Sequence, residues 1–192
     1  MKFPRWIDGT ALYIGAFIPD LNIFVFEPLM FLQFRHITHS LLGLLIWVAP
    51  LTILMAIIFS KYIGPKISEI VKKERKLYRI FIYFGFDELQ YLKKKQINAR
   101  FFVVAFYSAL IGGFTHLIID LPAHRYNELF FPWALFVNPE FLRVPVFELN
   151  RIIPLYEVIW YIEDIILLGI SLVLLRKIKK DNLIERWYES VK

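Results

Sequence analysis

Cysteine is absent from the 192 residues, which excludes a disulfide framework and any thiolate metal site. Charge is missing altogether from residues 41–60, a run of 20 positions, enough to cross a hydrocarbon core of ~30 Å. Internal repeats and low-complexity tracts are lacking, so neither a solenoid nor a solvated linker is indicated. A signal-peptide cleavage site is lacking too. Lys2 and Arg5 precede an apolar stretch, but Pro19 and Asp20 stand where small residues would be needed, so this stretch reads as mature structure.

What is present is apolar. The hydrophobic fraction is 58% and aromatics are 18%, high for a soluble domain, and the length suits one domain rather than two. Residues 101–121 are apolar apart from Arg-free interruptions at His116 and Asp120. Residues 152–175 are apolar but include Glu157, Glu163 and Asp164, and residues 9–26 form a shorter fourth candidate span. The expected fold is therefore an all-α membrane protein, a single integral membrane domain over 1–192. About four transmembrane helices (9–26, 41–60, 101–121, 152–175) are joined by a segment at 61–100 and a loop at 122–150.

The net charge of +6 is concentrated. Residues 61–100 hold 11 Lys/Arg against 4 Asp/Glu, and residues 176–192 hold 6 against 3. Nucleic-acid binding is one meaning of such patches, but beside apolar spans they mark the cytoplasmic side, and no nucleic-acid partner is expected. Both termini are then cytoplasmic, in a multi-pass protein of the cell membrane. Ile67, Ile70, Val71, Leu77, Tyr78 and Phe81 have helical spacing opposite a basic face, which predicts one or two amphipathic helices at the inner headgroup boundary. The outer segment 122–150, with Pro122, Pro132, Pro139 and Pro145, is too interrupted for long helices and suits an interfacial loop or lid.

Depth singles out the polar residues. Along helices rising ~1.5 Å per residue, His39 lies ~33 Å from Lys61, and Asp120 and His116 lie ~30 Å and ~24 Å from Arg100. Asp20 lies ~22 Å from Arg5, and Glu157 ~29 Å from Arg176. Five ionisable residues from four segments thus reach one level near the outer surface, with His36 and His124 just beyond their spans on the same side. His116 and Asp120 are i,i+4 on one helix face; Glu157 and Asp164 are i,i+7 on another. Thr38 or Ser40 is available to cap a helix beginning near Leu41, and Asp8 has the look of an N-cap.

An ionisable group in hydrocarbon costs at least ~2.5 kcal/mol, so each needs a partner or a wet cavity. Imidazole with carboxylate is the ligand set of zinc and related divalent ions. His39, His116 and Asp120 are candidate ligands on this ground; Asp20 could ligate or cap a turn, and His36 could ligate or lie at the interface. Glu157 and Asp164 could act as general base or further ligand, or pair with Arg35, Arg125 or Arg151. Arg35 or Arg125 could steady an anionic substrate. A transporter or sensor would need a polar path through the bilayer, and a haem bundle would leave the aspartates without a role.

Three stretches resemble a known group. They are Gly15–Asp20 (GAFIPD), Arg35–Ser40 (RHITHS) and Thr115–His124 (THLIIDLPAH). They are similar to the signatures of membrane-bound, predicted metal-dependent hydrolases, including the LexA-regulated inner-membrane hydrolases of bacteria and their archaeal relatives. The resemblance implies that Asp20, His39, His116, Asp120 and His124 are ligands of one or two divalent ions, zinc favoured. It also implies a distant tie to zinc-dependent phospholipase C, hence a phosphoester substrate. The combined expectation is a membrane-embedded hydrolase facing the outside, with membrane lipid as its neighbour and a small or lipid-linked molecule as substrate.

Overall fold

A computed structural model describes residues 6–30, 35–123, 126–137, 139–148 and 151–189. The chain is mostly helical. Helix α1 spans Gly9–Met30, α2 Arg35–Thr38, and α3 runs unbroken over Leu41–Lys73. After the short α4 (Arg79–Tyr83) and a 3-10 stretch (Phe86–Lys94) comes α5, Ala99–Asp120. Strands β1 (Tyr126–Phe130), β2 (Ala134–Val137), β3 (Pro145–Glu148) and β4 (Arg151–Pro154) lead to α6, Leu155–Lys180, and α7, Leu183–Glu189. Among the described residues, α3, α5 and α6 are long and apolar enough to cross a membrane.

Side chains start the helices where the backbone N–H groups would otherwise lack acceptors. Asp8 Oδ1 accepts from Ala11 N–H at 2.9 Å, Ser40 Oγ from Gly43 N–H at 2.9 Å, and Asn98 Oδ1 from Phe101 N–H at 3.0 Å. Ser40, not Thr38, is thus the cap of α3. Within α3 the turns Leu44–Val48 and Phe59–Ile63 are widened to π geometry, each just before a proline, Pro50 and Pro65. A proline ring has no N–H to donate and collides with the carbonyl four residues back; the wider turn relieves that collision without ending the helix.

Helices α1, α3 and α5 pack together. Near the Lys/Arg-rich end, Ala11 meets Ala56, Phe101 and Ala105; toward the other end, Ile18 meets Leu44, Val48 and Leu117. Hence α1 and α5 run the same way and α3 runs against both. The α1–α5 crossing depends on glycine: a methyl group at Gly15 would stand 2.7 Å from the Ala109 carbonyl oxygen, and one at Gly112 would overlap the carbonyl oxygen of Leu12.

The Lys/Arg-rich end is locked by polar contacts. Lys95 Nζ lies 3.0 and 2.9 Å from the two Asp8 carboxylate oxygens, with both residues buried, and Asp8 N–H donates to Ser108 Oγ at 2.9 Å. Burial pushes the Lys95 ammonium below its ordinary value of 10.5, against the opposing pull of Asp8. Lys61 Nζ reaches the carbonyl oxygens of Lys93 and Lys95, tying α3 to the same turn.

Helix α6 stands apart. None of its residues is buried, and a methyl group at Gly169 would meet nothing within 4 Å. Its last turns are held by Lys179 Nζ, 2.9 Å from both Asp87 carboxylate oxygens and 3.0 Å from Glu88 Oε1. Arg176 lies over the Tyr83 ring at 4.0 Å. Its first turn follows β4, where Leu155 N–H donates to Val144 O at 3.0 Å.

In the segment 61–100 the stretch Gly64–Lys73 is an amphipathic helix, with Ser68 and Val71 buried and Lys72 and Lys73 exposed, and it continues α3 without a break before α4 and the 3-10 stretch. One expectation needs correcting. The segment 122–150 is not irregular throughout, and the chain is not purely α: β1 pairs antiparallel with β2, and β3 with β4. Prolines do exclude long helices there, but alternating aromatic and branched residues suit short strands. Pro145 and Pro154 sit opposite each other at the open end of the second hairpin, where a missing donor costs little. Leu129 of β1 packs on the Ile18–Leu44–Val48–Leu117 cluster, so the first hairpin covers that end of the bundle.

Candidate metal centre

Four donor side chains gather where α3 begins and α5 ends, beside the middle of α1 and away from the Lys/Arg-rich segment. Asp20 follows Pro19 on α1. His39 lies in the tight turn between α2 and α3, closed by Ser40 Oγ, which donates to Ile37 O at 2.8 Å while accepting from Gly43 N–H. A side chain at position 43 would strike the Ile37 carbonyl, so glycine is what lets the turn close. His116 and Asp120 occupy successive turns of α5, and Asp120 ends the helix.

Their atoms converge. His39 Nε2 is 3.5 Å from Asp20 Oδ1 and 3.7 Å from Asp120 Oδ2; His116 Nε2 is 3.6 and 3.7 Å from the same two oxygens. The donor atoms of Asp20, His39 and His116 all lie within 4.8 Å of one another. Ligands held ~2.1 Å from a common centre at tetrahedral angles are about 3.4 Å apart, close to these separations. They are also too long for good hydrogen bonds, and His39 Nε2 is buried without one. Two carboxylates and two imidazoles together make the oxygen and nitrogen donor set that divalent cations take. The residues therefore fit a metal ion.

Access to the cluster is one-sided. Side-chain exposure is 7% for His39, 14% for His116 and 16% for Asp120, but 41% for Asp20. The floor is the apolar cluster of Ile18, Leu44, Val48 and Leu117. An incoming molecule thus meets the centre from the Asp20 side, with water excluded behind the histidines.

The other sequence candidates are only partly within the described residues. Glu157 is half-buried in the first turn of α6 and Asp164 is exposed further along it; neither belongs to the donor trio. Arg35 and His36 lie on α2 with side chains outside the described residues, and His124 and Arg125 lie outside them entirely. The sequence reading overlooked one contact, Thr38 Oγ1 at 3.1 Å from His39 Nδ1. Its only trace in the sequence is the adjacency of the two residues.

A family model for a domain of unknown function, DUF4184, matches residues 1–191. The chain belongs to the DUF4184 family. The match takes in every residue of the donor cluster and both Lys/Arg-rich segments. No curated protein and no solved structure matches the chain.

Proposed function

We propose that this DUF4184 protein is a metal-dependent hydrolase of the cell membrane, acting at the outer surface on a phosphoester of a lipid or lipid-linked molecule. The observation that carries the reading is the convergence of His39, His116, Asp20 and Asp120, with imidazole–carboxylate separations of 3.5–3.7 Å. Support for the outer surface comes from the Lys/Arg-rich segments at the opposite end of the bundle, the side expected to face the cytoplasm. Alongside α3, α5 and α6, α1 would be the fourth crossing. Support for a phosphoester comes from the resemblance of the three sequence stretches to hydrolases distantly related to zinc-dependent phospholipase C.

Asp20, His39 and His116 would hold the ion, zinc being favoured by the donor set. A divalent ion of this kind supplies Lewis acidity, which makes water a nucleophile at neutral pH. Asp120, whose Oδ2 is 3.7 Å from both imidazole nitrogens, would take the proton from the attacking water. We assign this role to Asp120 rather than to Glu157 or Asp164, which lie on the helix that stands apart. Arg35 or Arg125 would hold the anionic substrate, and His36 or His124 would complete a second ion site if two ions bind.

A second reading is a metal-binding protein without catalysis. It is favoured by Asp120 Oδ2, which at 3.7 Å from both imidazole nitrogens would serve as a fourth ligand and close the shell, as in structural zinc sites. Against transport, the apolar floor blocks continuation toward the other membrane face.

The test is elemental analysis of detergent-purified protein, followed by turnover of a panel of phosphoesters that includes phospholipid vesicles. A stoichiometric divalent ion with turnover that His116→Ala abolishes is the expected result. A stoichiometric ion with no turnover across the panel favours the second reading; a wild-type protein that binds no divalent ion sinks both.

A further inference from the structure

We propose that Thr38 is a positioning residue of the metal centre, its hydroxyl oxygen accepting the Nδ1–H of His39 and so directing the Nε2 lone pair at Asp20, His116 and Asp120. The inference rests on the metal reading above and concerns how this chain prepares one of its ligands.

A histidine can ligate only through a nitrogen that carries no proton, and in neutral imidazole the proton then sits on the other nitrogen. For His39 the nitrogen facing the carboxylates is Nε2, 3.5 Å from Asp20 and 3.7 Å from Asp120. The proton therefore belongs on Nδ1, where it needs an acceptor, because an unpaired donor in a buried place is costly. Thr38 Oγ1 is that acceptor, at 3.1 Å. Thr38 is 0% and His39 6% exposed, so water does not compete for the contact.

Local geometry keeps the acceptor in place. Thr38 is the last residue of α2, and its branched Cβ leaves few side-chain rotamers. Directly after it, the Ile37–Ser40–Gly43 hydrogen bonds close the turn that carries His39. Hydroxyl and ring are thus held by one short loop, and the ring cannot turn without breaking its Nδ1 contact. Metal-ligating histidines elsewhere are held in this way by carboxylates or carbonyls; here the holder is the neighbouring hydroxyl.

The test compares Thr38→Val, which keeps the shape and removes the acceptor, with Thr38→Ser, which keeps the acceptor. Zn2+ affinity is read by competition with a chelating dye, and the ligand field by the visible spectrum of the Co2+ form. We expect Thr38→Val to weaken Zn2+ binding by about 10- to 100-fold and to alter the Co2+ bands, with Thr38→Ser close to wild type. Wild-type affinity and spectrum in Thr38→Val would overturn the proposal while leaving the metal centre standing.

A second measurement needs no change at Thr38 and no metal. In 15N-histidine-labelled wild-type protein without metal, the His39 signal, assigned by its loss in His39→Ala, should report the Nδ1–H tautomer. An Nε2–H tautomer overturns the role of Thr38. Failure of the wild type to bind any ion would end the metal reading, and the tautomer would still decide this one.

Discussion

The rings of His39 and His116 meet edge to face, 5.5 Å between centroids and 63° between planes, and both direct Nε2 at the same oxygen of Asp20. Two imidazoles from different helices aimed at one carboxylate should act together in holding an ion. His39→Ala and His116→Ala are each expected to lower Zn2+ affinity by at least about 100-fold, beyond the loss typical of removing an outer partner. Isothermal titration of the detergent-purified variants measures it. Asp20→Asn, which keeps an oxygen donor but loses the charge, should fall between them and wild type.

The glycine crossing sets whether the donors can meet at all. A Gly112→Leu side chain has no room beside the Leu12 carbonyl and would push α1 from α5. Asp20 would then leave His116. The expected outcome is loss of metal binding together with a clear drop in thermal unfolding temperature in detergent, whereas Gly169→Leu, into open space, should change neither.

The Asp8–Lys95 pair is buried, so removing one partner strands the other charge. Lys95→Met should cost about 3–5 kcal/mol, while the double change Asp8→Asn with Lys95→Met should cost less than that single change. Denaturant or thermal unfolding of the wild type, the two single variants and the double variant gives the comparison; a double-variant loss equal to the sum of the two single losses would show that the pair is not coupled.

Stability should also depend on pH through Glu88. Burial raises its carboxyl above the ordinary value of 4.5, outweighing the lowering effect of Lys179. The folded form therefore holds the proton more tightly than the unfolded chain. That contribution is complete below pH 4.5 and is lost as pH rises through the folded-state value. Glu88→Gln, which cannot ionise, should gain in unfolding temperature relative to wild type as pH is raised from 4.5 to 7.5. A gap that stays constant over that range would refute the assignment.

Much of this could be read from residue order alone, for a physical reason. Helical rise turns position into depth, so charge-free runs gave the course of α3 and α5, and counting from Lys61 and Arg100 put His39, His116 and Asp120 at similar height. Rotation about the helix axis and contact between helices are not contained in that count. Depth put Glu157 level with Asp120, yet Glu157 sits on a helix that does not join the bundle. The hairpins were hidden because Pro132, Pro139 and Pro145 forbid helix without prescribing strand pairing. The continuation of α3 past Lys61 was hidden because the charge-free run stops there, and Pro65 does not end the helix because the widened turn before it accommodates the ring. Lys95 read as one more basic loop residue, since nothing adjacent to it in sequence announces Asp8.

Helix α6 is fastened at its two extremities, and no residue between them is buried. At 26 residues it is a rod of about 39 Å, with the Lys179 latch at one tip and the β3–β4 hairpin at the other. A stiff rod pinned this way has its orientation set at its tips: the Asp87–Lys179 contact fixes one against the 3-10 stretch, and the Leu155–Val144 hydrogen bond fixes the other beside β3.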